Sequence, residues 1–212
     1  MKYFCWFWLG IIGIITIGCN HTNKQSQPVV KDTLAVDTKI DTTAAEKEIL
    51  TTIGTEILIA LKAKDYRAFA VYFHPKKGVI FSPYGFIDKS NINQLSKANF
   101  LKIIEEHGSV NWGEYDGSGD PIKLTAQKYL EKFVYNADYL HAQQTSFNQI
   151  IGKGNAKSNL LEVFPNSSFL EYYFKGFDEK YDGMDWTSLR LVFEKYQNGY
   201  FLIAVIHDQW TI

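Results

Sequence analysis

The chain has 212 residues, of which 22 are Lys or Arg and 23 are Asp or Glu, so its formal charge is −1. This near-neutral balance, without a basic stretch, argues against nucleic acid as a partner. The only cysteines are Cys5 and Cys19, so no disulfide framework is expected and stability must come from an apolar core. A folded region of about 170 residues suits one such core.

The first 18 residues have the pattern of a secretory signal peptide. Lys2 provides a charged start, residues 3–17 are apolar, and the small residue Gly18 precedes Cys19. The apolar stretch is shorter than the ~20 residues of a membrane span. We therefore predict a signal peptide over residues 1–18.

Cys19 and the three residues before it resemble a lipobox. The run Thr16-Ile17-Gly18-Cys19 is similar to the motif of bacterial lipoproteins, although Thr16 replaces the leucine most common at its position. The resemblance implies cleavage before Cys19 and lipidation of its sulfur by diacylglycerol, with palmitate as an acyl chain. It also implies a partner, the membrane, and an extracytoplasmic location in the cell envelope. The alternative is an uncleaved N-terminal anchor with an incidental cysteine.

Residues 19–43 lack both apolar periods and are polar, which is typical of a flexible tether. Residues 44–212 then predict a single α+β domain. Thr43 and Glu46 have capping-box spacing ahead of an apolar stripe that continues to residue 61, so a long amphipathic helix is expected. Asp65 is expected to cap a second, shorter helix.

The middle of the chain predicts further short elements. Ser96 can cap a helix over 97–106, and Thr125 can begin another. Strands over 110–115 and 121–124 flank the turn 116–120. That turn has oxygens at alternate positions, as in a calcium loop, but Gln127 stands where the loop needs a bidentate Glu, so a glycine-rich turn is favoured and no metal is predicted. Residues 136–166 show no clear pattern beyond a strand near 159–164.

The end of the chain predicts a β-hairpin. Residues 189–196 and 200–207 are rich in β-branched and aromatic residues, and Asn198-Gly199 favours a type I′ turn between them. Residues 168–177 alternate and predict a third strand of the same sheet.

Pairing Gln197 with Tyr200 sets the predicted register and puts Arg190 opposite His207. One face is then apolar and requires cover by helices: Leu189, Leu191, Phe193, Leu202, Ala204 and Ile206. The other face is mixed and could line a concavity: Val192, Ile203, Val205, Arg190, Glu194 and His207.

Two resemblances bear on the fold. The long helix, the segment 60–69 after it and the late antiparallel strands resemble the nuclear-transport-factor-2-like superfamily of α+β cones. The segments 74–84, 112–119, 184–193 and 206–212 are similar to those of a family of uncharacterised bacterial lipoproteins. The first resemblance implies N-terminal helices packed on a curved antiparallel sheet. The second implies no activity and no catalytic residue.

Arg190, His207 and Glu194 form the first candidate site. A guanidinium, an imidazole and a carboxylate on one concave face could bind an anionic ligand or act as acid and base. The alternative is a structural ion pair beside a satisfied histidine, because such networks perturb charged groups as active sites do.

Asp185 and Trp186 precede the hairpin, and Asp208 and Trp210 end it, so these four residues are expected at one end of the sheet. Indole rings beside carboxylates suit a sugar or a cation. The alternative is that the tryptophans close the end of the core.

Three functions fit these patterns. The first is a binding or accessory module that uses an aromatic-rimmed concavity. The second is a small-molecule enzyme of the dehydratase or isomerase type found in the cone superfamily, with His207 as base and Arg190 polarising the substrate. The third is an envelope scaffold for another protein. No cofactor is implied by any of them.

Overall fold

The protein is seen in a computed structural model that describes residues 42–90, 92–154 and 157–211. These residues belong to one compact unit. The predicted signal peptide, Cys19 and nearly all of the tether lie outside the described residues. No helix within the described ranges is long and apolar enough to cross a membrane.

Helices α1 and α2 confirm the predicted N-terminal pair. Helix α1 spans Thr42–Lys62 and buries a stripe that includes Leu50, Ile57 and Leu61. Helix α2, Tyr66–Phe69, begins after Asp65, whose side chain accepts a hydrogen bond from the backbone N–H of Ala68. A 3₁₀ turn, Ala70–Tyr72, continues α2.

Three short α-helices follow in the described part of the chain. Helix α3 spans Lys97–Glu106 and is capped by Ser96, as predicted. Helix α4, Ala126–Tyr129, is capped by Thr125 and continues as a π-helical turn, Leu130–Val134. Helix α5 is the single turn Leu160–Val163.

Eight strands within the described residues form two sheets. In chain order they are β1 Val79–Ser82, β2 Asn93–Leu95, β3 Ser109–Glu114, β4 Pro121–Thr125, β5 Gln144–Phe147, β6 Ser168–Phe174, β7 Thr187–Tyr196 and β8 Gly199–Gln209. The main sheet has the order β2-β1-β8-β7-β6-β5, and β3 and β4 form the separate predicted hairpin. Because β1 runs parallel to β8, the sheet is mixed, and the prediction of a wholly antiparallel sheet is wrong.

The predicted strand near 159–164 is also wrong, because this segment forms α5. Asn159 precedes the helix and is nearly buried; its side chain bonds both the N–H and the carbonyl of Ile87, at 2.8 and 3.0 Å. These hydrogen bonds hold Asn159 and α5 against the main sheet, so this segment does not join the sheet as a strand. A short apolar run has no period long enough to separate helix from strand.

The β7–β8 hairpin exists, but its predicted register is wrong. Its turn is centred on Gln197 and Asn198, with Tyr196 opposite Gly199. Farther from the turn, Phe193 pairs with Leu202 and Val192 pairs with Ala204, so Ile203 is an extra residue, a β-bulge.

The bulge exchanges the two faces of β8. Beyond it, Val205 and His207 lie on the face of Leu191 and Leu189, whereas Ala204 and Ile206 lie on the face of Val192 and Arg190. Arg190 and His207 are therefore on opposite faces of the sheet.

Both faces are covered. The first face packs on helices α1 to α4 in the larger apolar core. The second face packs against Ile87, Leu160 and half-buried Ile150 in a smaller core. The predicted concavity on the mixed face is therefore filled by the segments that contain these three residues.

Candidate functional site

Arg190 is fully buried and lies at the centre of a charged network whose other members are also buried. Its guanidinium contacts Glu171 and Asp208, each at 2.9 Å, and donates to the carbonyl of Gly152 at 3.0 Å. Glu171 also accepts from the Ser188 hydroxyl at 2.5 Å. The three ionisable groups are one cation and two carboxylates. Burial raises the pKa of Asp208, and the opposite charge of Arg190 resists that rise.

His207 is held on the other face as a neutral ring. Its Nδ1 lies 3.0 Å from the Pro83 carbonyl oxygen, and its Nε2 lies 3.0 Å from the Thr187 hydroxyl. A carbonyl only accepts, so Nδ1 carries the proton and Nε2 accepts from Thr187. Burial lowers the pKa of His207 to about 4. Both ring nitrogens are therefore satisfied in a buried structural role.

Glu194 lies near the hairpin turn, away from both groups. It pairs with Lys77 at 2.6 Å, and its carboxylate is 3.8 Å from the ring of His74. The structure thus places the three residues of the first predicted site in three different environments.

Asp185 and Trp186 have structural partners as well. Asp185 accepts from the backbone N–H groups of Phe177 and Asp178, both at 2.9 Å, and the first of these bonds is the main cause of its lowered pKa. Trp186 is buried and lies 5.9 Å from the ring of Tyr173. Trp210 is partly exposed. None of the three lines the cleft described next.

A cleft of about 190 Å³ opens where β1 ends, beside the β3–β4 hairpin and the end of β8. We call it the acidic cleft, because its lining includes four carboxylates: Asp88, Glu114, Asp116 and Asp208. Its apolar walls include Phe81, Tyr84, Phe86, Ile87, Ile92 and Trp112. No Lys, Arg or His is found among the described residues that line it.

Local sequence explains how the cleft is shaped. At the last residue of β1, the Ser82 hydroxyl donates to the carbonyl of Tyr84 at 2.7 Å, and the chain turns there. Gly85 then passes directly over Asp208, where an added Cβ would lie 2.4 Å from a carboxylate oxygen, so only glycine fits. The hydroxyl of Tyr84 accepts from the N–H of Asp116 at 3.2 Å and ties this turn to the β3–β4 hairpin.

Trp112 forms the apolar base of the same region. It is almost fully buried, stacks on Tyr129 with ring centres 4.1 Å apart, and donates its indole N–H to the carbonyl of Leu124 at 3.0 Å. The next residue, Gly113, has φ of +120° beside a register irregularity of β3 and β4. The irregularity falls where the hairpin borders the cleft, as bulges beside ligand sites do.

Sequence reasoning did not find this cleft. It identified the turn at residues 116–120 and the acid Asp208 separately, but the cleft exists because β1 joins β8. That pairing connects distant parts of the chain and leaves no local signal.

Chemically, the acidic cleft offers an apolar surface and negative charge, which suits binding of a small partly apolar molecule. Its carboxylates lie at the rim except Asp208, which is buried in the inner wall. In comparisons of the chain with family models, with curated proteins and with solved structures, no match was found.

Proposed function

We propose that this protein is a lipid-anchored, extracytoplasmic binding module and that the acidic cleft holds its small-molecule ligand. The observation that carries the binding function is the cleft itself, in which apolar walls converge with four carboxylates. The signal peptide pattern and the lipobox at Cys19 support the location at the cell envelope, with the membrane as partner.

We also infer that the domain is an elaborated nuclear-transport-factor-2-like cone, related to the uncharacterised bacterial lipoproteins that it resembles. The support is the packing of α1 to α4 on one face of a sheet whose longest strands, β7 and β8, are the last two in the chain. The elaborations of the cone are the parallel pairing of β1 with β8 and the cover on the second face of the sheet.

Binding is better supported than the enzymatic alternative. A dehydratase or isomerase that used His207 and Arg190 would need both groups in one accessible pocket. The two side chains are fully buried on opposite faces of the sheet. The proposed base is also neutral with both nitrogens engaged, so that pair supports no proton transfer to a ligand.

Binding is also better supported than the scaffold alternative. A docking surface needs a contiguous apolar patch of several hundred square ångströms. The exposed large apolar side chains of the described residues instead belong to several elements, including Ile59 on α1, Leu161 on α5 and Phe177 in the loop before β7.

A fragment screen by NMR tests the proposed function. We would add small cationic, neutral and anionic compounds to the full chain in detergent and follow the indole N–H signals of tryptophan. Trp112 lines the cleft, whereas Trp186 and Trp210 do not and serve as internal references. We expect a subset of compounds to shift the Trp112 signal selectively.

Two variants complete this test. Ile92→Trp enlarges a partly exposed side chain in the cleft wall and should abolish the selective shift. Leu161→Trp makes a similar enlargement at an exposed site on α5 and should leave the shift unchanged. A screen in which no compound perturbs Trp112, or in which Ile92→Trp binds as the parent does, would overturn the proposal.

A further inference from the structure

Building on the proposed function, we propose that the acidic cleft selects an organic cation, namely a protonated amine or quaternary ammonium attached to a compact apolar body.

The rim of the cleft carries uncompensated negative charge. Asp88, Glu114 and Asp116 are exposed, and none takes part in an ion pair between described residues. Because no described lining residue is cationic, an anionic ligand would be repelled from every side of the rim. A positively charged ligand is attracted by the same groups.

Asp208 adds a buried negative charge to the inner wall. It is only 5% exposed and lies under Gly85. Its partner Arg190 is shared with Glu171, so one guanidinium serves two carboxylates. The buried network is therefore one positive charge short of neutrality when Asp208 is ionised. A cation in the cleft would supply the missing charge from the open side.

The lining is rich in acceptors and poor in donors. The Trp112 indole N–H is already engaged by Leu124, and the Ser82 hydroxyl is engaged by the carbonyl of Tyr84. The Tyr84 hydroxyl already accepts from Asp116, so only its own hydrogen remains to donate. A carboxylate accepts but does not donate. A sugar needs both kinds of partner, whereas an ammonium group needs only acceptors, so the cleft suits the ammonium.

Size and wall chemistry define the rest of the ligand. A dry cavity of ~150 Å³ holds benzene in another protein, so 190 Å³ accommodates about one ring and a short substituent. The half-exposed ring of Phe86 offers a surface for a cation or an apolar group. An inorganic ion fits less well, since no three His, Cys, Asp or Glu side chains of the described residues are placed to hold one.

Three nearly isosteric probes test the charge selectivity: benzylamine as the cation, benzyl alcohol as the neutral analogue and benzoate as the anion. We would titrate each into the full chain and follow the Trp112 indole signal. Benzylamine should bind about tenfold more tightly than benzyl alcohol, and benzoate should not bind. Raising the salt concentration should lower the affinity for benzylamine and leave the affinity for benzyl alcohol unchanged.

Substitutions at the rim test whether the preference for a cation comes from the carboxylates of the cleft. Glu114→Gln and Asp116→Asn each remove the charge of an exposed side chain without changing its shape. Each should lower the affinity for benzylamine about threefold and leave the affinity for benzyl alcohol unchanged. Glu48→Gln, an exposed carboxylate on α1, is the matched control and should change neither affinity.

The outcomes separate this inference from the function on which it rests. If benzyl alcohol or benzoate binds the cleft as tightly as benzylamine, the cation inference is overturned and the binding function stands. If the probes fail but the wider screen yields cleft ligands that are neutral or anionic, the same conclusion follows. If no compound of any charge perturbs Trp112, both are overturned.

Discussion

Arg190 is a charge held entirely out of water, with carboxylates of Glu171 and Asp208 as its ion-pair partners. Taking such groups from water is costly, and the cost is met only while each charge keeps its partners. Removing the cation would leave two carboxylates facing each other in a region of low dielectric constant. A single substitution at Arg190 would therefore disturb the whole second face of the sheet.

We expect Arg190→Met to lower the free energy of unfolding by about 3–5 kcal/mol, measured by urea denaturation of the full chain. Arg67→Met is the matched control, because Arg67 pairs with Glu105 on the surface. The control substitution should lower the free energy of unfolding by less than about 1 kcal/mol. Equal effects of the two substitutions would contradict the structural role assigned to Arg190.

His207 links stability to pH. Its pKa is about 4 in the folded protein, through burial first, and the ordinary value for an unfolded chain is near 6.5. Between these values the unfolded state binds more protons than the folded state, so stability rises with pH. The contribution of the neutral His207 ring to the free energy of unfolding is complete above pH 6.5. It declines as the pH falls towards 4 and changes no further below that value.

The expected contribution of His207 is about 3 kcal/mol across this pH range. We would measure the free energy of unfolding at several pH values for the parent and for His207→Gln, whose amide does not titrate. Other titrating groups, including His74, are common to both proteins and cancel in the difference. The variant should show the shallower dependence on pH, and parallel curves would contradict the assignment.

At the scale of elements, the bulge at Ile203 decides which side chains of β8 face which core. If Ile203 paired in a continuous ladder from the same turn, every later residue of β8 would shift by one position, and His207 and Asp208 would lie on the wrong faces. Strand β8 can therefore tolerate loss of a residue at the bulge better than loss of a residue beyond it.

Deletion of Ile203 should remove the bulge and keep every later pair, at a cost of about 2–4 kcal/mol for one buried side chain. Deletion of Val205 removes a residue of similar size but shifts the later pairs by one position, and it should prevent folding. Far-UV circular dichroism and urea denaturation distinguish the two. A folded Val205 deletion as stable as the Ile203 deletion would contradict this account of the register.

The helix caps could be predicted because their chemistry is local. Asp65, Ser96 and Thr125 each accept from an N–H group three residues later, and each marks the start of a helix as expected. The hairpin was likewise evident from its composition. The predicted position of its turn is wrong. The prediction assigns the positive φ angles of the turn to Asn198 and Gly199, whereas Gln197 has a φ of +53°.

The register and the site depend on information that no short segment contains. A bulge is set by packing on two cores at once. The cover of the second face comes from Ile87, Ile150, Leu160, Val163 and Phe164, and the sequence around the last four shows no clear pattern. Arg190, His207 and Glu194 were therefore grouped by a register that does not occur. The acidic cleft was missed because its walls come from three separated parts of the chain.

At the scale of the whole molecule, the anchor and the binding domain are separate proposals with separate tests. Cys19→Ala should abolish lipidation and cleavage, because the sulfur is the site of acylation in the lipoprotein motif. In a bacterial host, the variant should retain the full-length mass and lack the added mass of the lipid.

Cys5→Ala is the control, since Cys5 lies in the predicted signal peptide and should be removed with it. Mass spectrometry and detergent partitioning measure both variants. If Cys19→Ala has the same mass and partitioning as the processed parent, the lipid anchor is disproved, while the case for the cleft is unaffected.

The position of β8 between β1 and β7 has a consequence for biosynthesis. Strand β1 is made early, but its inner neighbour, β8, is the last of the described strands to leave the ribosome. Contacts between such distant segments form slowly. A nascent chain consequently lacks the middle of its sheet until β8 has been made, and until then the inner edge of β1 has no partner strand.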